Sequence, residues 1–296
     1  MSFVRKLEPG QRCQVHVFDL ATSYDKVIYE TTEVLLEAPN WHKDGHLILN
    51  GDGVLWRLDA SGAGELEPVP IDGVPELNND HVLSPDHDLI FMSAYDDWQI
   101  YVAPATGGRA TRVTNGEPGV MHFLHGVSPD GNRLAYVRMT VRGEMLFDNG
   151  HIHLLDLSTG QDVSLTTATE PEDGSEFTAD GNWVYLNTEH FSTKPGHAQI
   201  ARVNLETGIQ EQLTFDERVN WFPHLAPSGR NWVYLSYPTG TQGHPANLPV
   251  ELRLVIDESW ATPTTLIKLF GGQGTINVNS WSPDTLKLAY VSYPLV

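Results

Sequence analysis

The stretch His125-Gly-Val-Ser-Pro-Asp-Gly131, followed by the alternating apolar run Arg133-Leu-Ala-Tyr-Val137, decides the fold of this chain. Proline and aspartate suit the two central positions of a type I turn, and the glycine after them can adopt a positive φ. An alternating apolar run after such a turn is typical of a strand with one buried side. A single copy of this unit would be weak evidence, but the chain contains six.

Five further copies of the turn precede strand-like runs elsewhere in the chain. They are Trp41-His-Lys-Asp-Gly45, Leu83-Ser-Pro-Asp-His87, Phe177-Thr-Ala-Asp-Gly181, Leu225-Ala-Pro-Ser-Gly229 and Trp281-Ser-Pro-Asp-Thr285. The residues in the aspartate position are 42, 44, 50, 48 and 56 residues apart along the chain. Periods of roughly 40 to 50 residues that contain several short strands indicate the blades of a β-propeller.

This spacing predicts one domain over residues 1–296, an all-β six-bladed β-propeller of four-stranded antiparallel blades with almost no helix. The blades are anchored near residues 44, 86, 130, 180, 228 and 284. Only one strand follows the last anchor, whereas residues 14–18 and 26–29 form strand-like runs before the first. We therefore expect residues 11–36 to supply the outer strands of the last blade and to close the ring.

The composition favours some classes of partner over others. The chain has 38 acidic and 18 basic residues and a formal net charge of −20, which argues against nucleic-acid binding. No run approaches the roughly 18 apolar residues of a membrane helix, so we expect no membrane insertion. Cys13 is the only cysteine, which excludes an intrachain disulfide. The first residues resemble no secretion signal, which predicts a cytoplasmic protein, or a periplasmic one if a signal has been removed.

The residues four and five positions before each anchor should lie beside the central channel. These pairs are Pro39/Asn40, His81/Val82, His125/Gly126, Ser175/Glu176, Pro223/His224 and Asn279/Ser280. From them we predict ligand-binding roles for His81, His125, Glu176, His224 and Asn279. Imidazole and carboxylate groups suit a divalent metal ion, so His81, His125 and His224 are candidate metal ligands. The same groups could instead bind an anion or a sugar, or simply line a wet channel.

The offsets of these residues from their anchors differ by one position. Adjacent residues of a strand face opposite sides, so the side chains converge only where a bulge shifts the phase. Three insertions between the second and third strands of a blade, at residues 140–150, 189–197 and 237–245, add His190, His197 and His244. Such loops commonly carry binding residues, and we include His244 among the candidates.

Standard catalytic motifs are missing from the sequence. It contains no Gly-x-Ser-x-Gly elbow, no glycine-rich phosphate loop before a helix and no paired-cysteine zinc motif. We expect the hydroxyls of Ser84 and Ser128 to brace the anchor turns. Trp98, Trp221 and Trp260 could stack on a sugar ring or pack blade against blade. The catalytic residues, if there are any, stay unknown, and so does the oligomeric state.

The six Ser-Pro-Asp-Gly-type repeats resemble those of the TolB-like β-propeller family over residues 11–296. The separate N-terminal α/β domain of TolB has no counterpart here. The resemblance implies a binding or interaction module that uses its channel mouth and rim loops to bind a protein or a small polar or carbohydrate ligand. The fold also occurs in oligogalacturonate lyase, and Asn220-Trp-Phe-Pro-His224 is similar to the histidine-bearing inner strand of that family. The alternative is therefore a metal-dependent carbohydrate-active enzyme, with a divalent cation held by propeller histidines.

Overall fold

The computed structural model describes residues 3–141 and 149–295. Within these ranges the regular secondary structure consists of strands, and no helix is long and apolar enough to cross a membrane. The strands form six antiparallel blades in a ring, which confirms the predicted six-bladed β-propeller.

The strands are, in chain order, β1 (Cys13–Asp19), β2 (Tyr24–Thr31), β3 (Glu37–Trp41), β4 (His46–Gly51), β5 (Val54–Asp59), β6 (Glu67–Pro68), β7 (Ile71–Asp72), β8 (Leu77–Leu83), β9 (Leu89–Ala94), β10 (Ile100–Pro104), β11 (Gly108–Arg109), β12 (Thr111–Arg112), β13 (Val120–Val127), β14 (Arg133–Thr140), β15 (His151–Asp156), β16 (Asp162–Ser164), β17 (Glu172–Phe177), β18 (Trp183–Thr188), β19 (Gln199–Asn204), β20 (Gln210–Gln212), β21 (Val219–Leu225), β22 (Trp232–Tyr237), β23 (Ala246–Val255), β24 (Thr264–Gly272) and β25 (Lys287–Ser292). The first five blades begin with β3, β8, β13, β17 and β21, which surround the channel. A short parallel pair, β7 with β11, joins the first two blades.

The anchor turns owe their shape to a side-chain bond between the serine or threonine and the aspartate. In the third blade Ser128 Oγ donates to Asp130 at 2.5 Å and accepts from the backbone N–H of Arg133 at 2.8 Å. Gly131 closes the turn with a φ of +72°, a value that favours glycine. Ser84 bonds to Asp86 in the same way at 2.6 Å. These hydroxyls brace the backbone, as the sequence predicts.

The N-terminal strands close the ring. β1 lies beside β25 in an antiparallel register that runs from Gln14 opposite Ser292 to Asp19 opposite Lys287. β2 pairs with the other edge of β1, and a bridge between Trp281 and Leu288 adds the innermost segment. The closure predicted from the unclaimed N-terminal runs is therefore confirmed.

Aromatic residues fill the interfaces between blades. The ring of Tyr185 in the fourth blade stacks on Trp232 of the fifth at 3.8 Å, and Trp260 packs 5.8 Å from each. Trp260 and Trp221 are both buried, so neither is an exposed platform for a sugar. Trp98 is half-buried and packs 5.2 Å from Phe3 of the N-terminal segment. Of the two roles considered for these tryptophans, the packing role is the one that the fold uses.

Candidate functional site

Irregularities in the inner strands determine which side chains reach the channel. The pairing of each inner strand from β3 to β21 shifts register just before its anchor turn. Ala38, Gly174 and Phe222 have positive φ values of 53°, 64° and 56° at three of these shifts. A bulge reverses the facing of the residues after it. Residues at both offsets from the anchor can therefore point towards the same axis.

Five of the predicted residues form a hydrogen-bonded belt across the channel, which we call the girdle: Asn40, His81, Glu176, His224 and Asn279. His81 Nδ1 donates to Asn40 Oδ1 at 2.9 Å, because the Nδ2 atom of Asn40 already donates to the backbone oxygen of Asn279. Glu176 Oε1 accepts from Asn279 Nδ2 at 2.8 Å and from the Leu225 backbone N–H at 2.7 Å. The girdle links residues from five of the six blades.

A proton must lie between His224 Nδ1 and Glu176 Oε2. His224 Nε2 lies 2.6 Å from the backbone oxygen of Ile276, so Nε2 carries hydrogen. His224 Nδ1 lies 2.8 Å from Glu176 Oε2. Either the imidazole is protonated on both nitrogens, or the carboxyl group carries the second proton. In both cases each ring nitrogen of His224 is committed to a partner inside the protein.

His125, the remaining channel histidine, belongs to a different cluster. Its Nε2 atom lies 2.8 Å from Asp173 Oδ1, and its Nδ1 atom is buried without a hydrogen-bond partner. Burial lowers the pKa of His125, but the Asp173 and Asp80 carboxylates outweigh burial and raise the pKa to about 9. His125 borders cavities on both sides of the girdle.

The first cavity, the mouth pocket, opens among the anchor turns and has a volume of about 320 Å³. Its wall is largely apolar, and Asn40, Glu176 and Asn279 of the girdle line the pocket together with His125. The wall includes Pro85, Pro129, Pro227 and Pro283 from four anchor turns, with Trp41, Phe177 and Trp281.

The second cavity, the lower cavity, lies at the other end of the channel and has a volume of about 200 Å³. Asp80 and Asp173 line it together with His125 and His244. Burial raises the pKa of Asp80 to about 7, whereas the neighbouring His125 keeps the pKa of Asp173 below its usual value in spite of burial. Two carboxyl groups of the same type are thus held in different electrostatic environments.

The structure does not gather the three candidate metal ligands. His224 has no free ring nitrogen, because both of its nitrogens are bonded to groups inside the protein. In the part of the chain that the structure describes, no group of three His, Cys, Asp or Glu side chains is arranged to hold a metal ion. The donor set does not fit a divalent cation, and a metal at His81, His125 and His224 stays a prediction.

The insertion loops at residues 189–197 and 237–245 lie at the other end of the channel from the mouth pocket. Because strands alternate in direction within a blade, the loops between second and third strands and the anchor turns occupy opposite faces. His244 accordingly reaches the lower cavity, with its Nε2 atom 3.6 Å from Asp173 Oδ2 and its ring 4.5 Å from that of Trp221. His190 and His197 instead bond to Glu170 and Ser192. Residues 142–148 of the 140–150 insertion lie outside the described residues.

Phe123 and Asp173 of the lower cavity are missing from the residues predicted from the sequence, although a signal was present. The residues seven positions before the anchors are Glu37, Asn79, Phe123, Asp173, Trp221 and Asn277. Four of these line the lower cavity, and a fifth, Glu37, bonds to Asn79 at 3.1 Å. Counting back two more residues from each anchor, to the seventh position, would have found them. Arg5, which forms a largely buried ion pair with Glu37, carries no such signal.

Comparison with known proteins places the chain among characterised folds. No family model matches it. An uncharacterised protein of Agrobacterium fabrum (strain C58), Atu1656, is 36% identical over 291 residues, which cover 96% of this chain and 94% of that protein. Among solved structures, a candidate TolB from Agrobacterium tumefaciens has a TM-score of 0.85 at 35% identity and covers 97% of this chain and 99% of its own.

More distant structures share the fold alone. TolB from Acinetobacter baumannii has a TM-score of 0.58 at 18% identity, over 84% of this chain and 62% of its own. An oligogalacturonate lyase in complex with manganese has a TM-score of 0.55 at 13% identity, over 87% of this chain and 67% of its own.

The fold and the channel define a closed six-bladed propeller whose channel is crossed by a polar girdle with a cavity on each side. The relative at 36% identity spans nearly the whole of both chains. The chain belongs to the TolB-like six-bladed β-propeller family.

Proposed function

We propose that the protein is a binding module that holds a segment of a partner protein in the mouth pocket. The observation that carries this proposal is the pocket itself, about 320 Å³ of space with a proline and aromatic wall above a polar floor. Pockets of this composition bury an apolar group, while a few polar groups orient it. The girdle bonds mostly to itself, so the floor is rigid and offers few unpaired groups for chemistry.

The charge around the mouth suggests the character of the partner. Five anchor aspartates are exposed on this face: Asp44, Asp86, Asp130, Asp180 and Asp284. Hydrogen bonds from serine or threonine hydroxyls lower the pKa of four of them, so these four stay ionised at neutral pH. Acidic rims attract basic partners and speed their association. We therefore infer a partner segment that combines an apolar side chain with basic residues.

The insertion loops are not part of this proposed surface. They lie at the opposite face, so one partner seated in the mouth would not also contact the loop that carries His244. The sequence assigns binding to the channel mouth and the rim loops together, whereas the present proposal uses the channel mouth alone.

Photo-crosslinking tests the proposal. A benzophenone amino acid replaces Ala179, an exposed residue that lines the mouth, and in a matched control it replaces Val163 on an outer strand. We expect a protein to crosslink at position 179 and not at 163, and we expect salt to weaken the crosslink because the contact is partly ionic. Equal crosslinking at both positions, or none at 179, would refute the proposal.

The alternative function is a metal-dependent carbohydrate-active enzyme, and its support in this chain is the fold that it shares with an oligogalacturonate lyase. The described residues provide no set of three metal-binding side chains. Elemental analysis of the purified protein distinguishes the two functions. A stoichiometric divalent metal that is lost on His125→Ala substitution would favour the enzyme over the binding module.

A further inference from the structure

Among the residues that the structure describes, the lower cavity contains a carboxylate that forms no ion pair of its own. Asp80 is 5% exposed, and its Oδ2 atom accepts one hydrogen bond, from Asn78 Nδ2 at 2.9 Å. Over residues 3–141 and 149–295 no ion pair is formed with Asp80. A buried carboxylate without a cation is costly, so it either takes up a proton or is balanced by a positive charge.

The charges around Asp80 are already paired with one another. Asp173 pairs with His125, and Glu37 pairs with Arg5. His244 is held mainly in its neutral form because burial lowers its pKa. The cavity therefore has one uncompensated negative charge when Asp80 is ionised. Burial, together with the nearby Asp173 and Glu37 carboxylates, raises the pKa of Asp80 to about 7 in spite of the positive charge on His125. A single positive charge in the cavity would balance it.

A second feature is a buried donor that makes no well-formed hydrogen bond, although the Asn277 backbone oxygen lies near the His125 ring and helps to raise its pKa. His125 lines the cavity and is 5% exposed. Its Nε2 atom is bonded to Asp173, and its Nδ1 atom has no partner. With a pKa raised to about 9, the imidazole carries a proton on Nδ1 at neutral pH. An oxygen atom on a ligand would satisfy this donor.

The size and the walls of the cavity limit the ligand further. Its volume of about 200 Å³ corresponds to roughly seven water molecules, so the ligand must be small. The rings of Tyr95, Phe123 and Phe222 line it. Aromatic faces are favourable neighbours for an ammonium group and for a short carbon chain.

We propose that the lower cavity binds a small amino alcohol, with its ammonium group against Asp80 and its hydroxyl oxygen accepting a hydrogen bond from Nδ1 of His125. A neutral diol would leave the charge of Asp80 unbalanced. An amino acid would bring a carboxylate for which the cavity has no spare cation, since Arg5 and His125 are both paired. The proposal does not rest on the binding function proposed for the mouth pocket, although His125 borders both cavities.

Calorimetric titration with four small probes tests separately whether the ligand needs a positive charge and whether it needs a hydroxyl oxygen as acceptor. Aminopropanol has both groups, butylamine lacks the hydroxyl, propanediol lacks the charge, and β-alanine carries an added carboxylate. We expect aminopropanol to bind about tenfold more tightly than propanediol and β-alanine, with butylamine in between. No binding by any probe, or equal affinity for the diol and the amino alcohol, would overturn the proposal.

Two variants, each of which removes one negative charge, test whether the probe binds in the lower cavity. Asp80→Asn removes the counter-charge with little change in shape, and we expect it to weaken aminopropanol binding at least about tenfold. Glu206→Gln removes one negative charge at an exposed position far from the channel, and its affinity should match that of the unaltered protein. Equal affinity of the Asp80→Asn variant and the unaltered protein would refute the assignment.

Proton release gives a further readout. A bound cation stabilises ionised Asp80 and so lowers its pKa, with Glu37, Asp173 and His125 as the charged groups that face it. Near pH 7 binding should therefore release protons, which titrations in buffers of different ionisation enthalpy detect. The release should vanish in the Asp80→Asn variant, and release that persists there would contradict the proposal.

Discussion

Replacing Glu176 tests whether the girdle holds blades together at the channel. The carboxylate accepts hydrogen bonds from Leu225 N–H and from Asn279 Nδ2, and it lies 2.8 Å from His224 Nδ1. Glu176→Ala therefore removes the partner of the Leu225 N–H, of His224 Nδ1 and of one N–H of Asn279 Nδ2, whose other N–H still donates to the Leu225 oxygen. Each such group costs about 1–3 kcal/mol. Because the mouth pocket admits some water, we expect the lower end, a loss of about 3–5 kcal/mol in the free energy of unfolding.

Glu176→Gln is the matched control for this substitution. The amide oxygen can still accept from Leu225 and Asn279, and the amide N–H can donate to Nδ1 of a neutral His224, whose Nε2–H continues to bond to Ile276. We expect this variant to lose no more than about 1 kcal/mol. Guanidinium denaturation measures both variants. If the two lose equal stability, or if Glu176→Ala loses less than about 1 kcal/mol, the girdle does not stabilise the fold as argued.

Three further predictions concern groups away from the girdle. Arg5→Ala should lower the free energy of unfolding by about 3–5 kcal/mol, because it leaves the buried Glu37 carboxylate unpaired. Cys13 should resist alkylation in the folded protein, because burial raises the pKa of its thiol to about 12, and the rate of modification should report unfolding. Stability should fall as the pH rises through about 7 and then about 9, because the pKa values of Asp80 and His125 are raised in the folded state and both protons favour the fold.

Each of these predictions has a control or an outcome that contradicts it. Arg5→Lys keeps the charge and should recover part of the lost stability, and equal losses for Arg5→Ala and Arg5→Lys would argue against the ion pair. Rapid alkylation of Cys13 under native conditions would show that the site is open. Asp80→Asn should flatten the fall in stability between about pH 4 and about pH 7, and an unchanged slope would mean that another group titrates there.

The architecture could be derived from the sequence because its signals are local and repeated. The Ser128–Asp130 bond and its counterparts form within six residues, so the same short motif produces the same turn wherever it occurs. Six turns at blade spacing then fix the number of blades, and the unclaimed strands at residues 14–18 and 26–29 fix how the ring closes. None of these steps requires knowledge of distant contacts.

The arrangement of the channel residues depends on features that the local sequence pattern does not encode. The convergence of Asn40, Glu176 and His224 requires bulges, and two of the positive-φ residues at those bulges are Ala38 and Phe222, which show no preference for that conformation. The sequence could propose the channel residues, but it could not divide them between the girdle and the cluster around His125.

The sequence by itself determined the number of blades, the position of the turns and the closure of the ring, since each follows from bonds between neighbours in the chain. The tertiary structure alone shows that His125 pairs with Asp173, that His244 reaches the lower cavity and that Asp80 forms no ion pair with any described residue. These relations join residues of different blades, and their energies depend on burial and on the summed charge nearby. Such quantities exist only once the ring has closed.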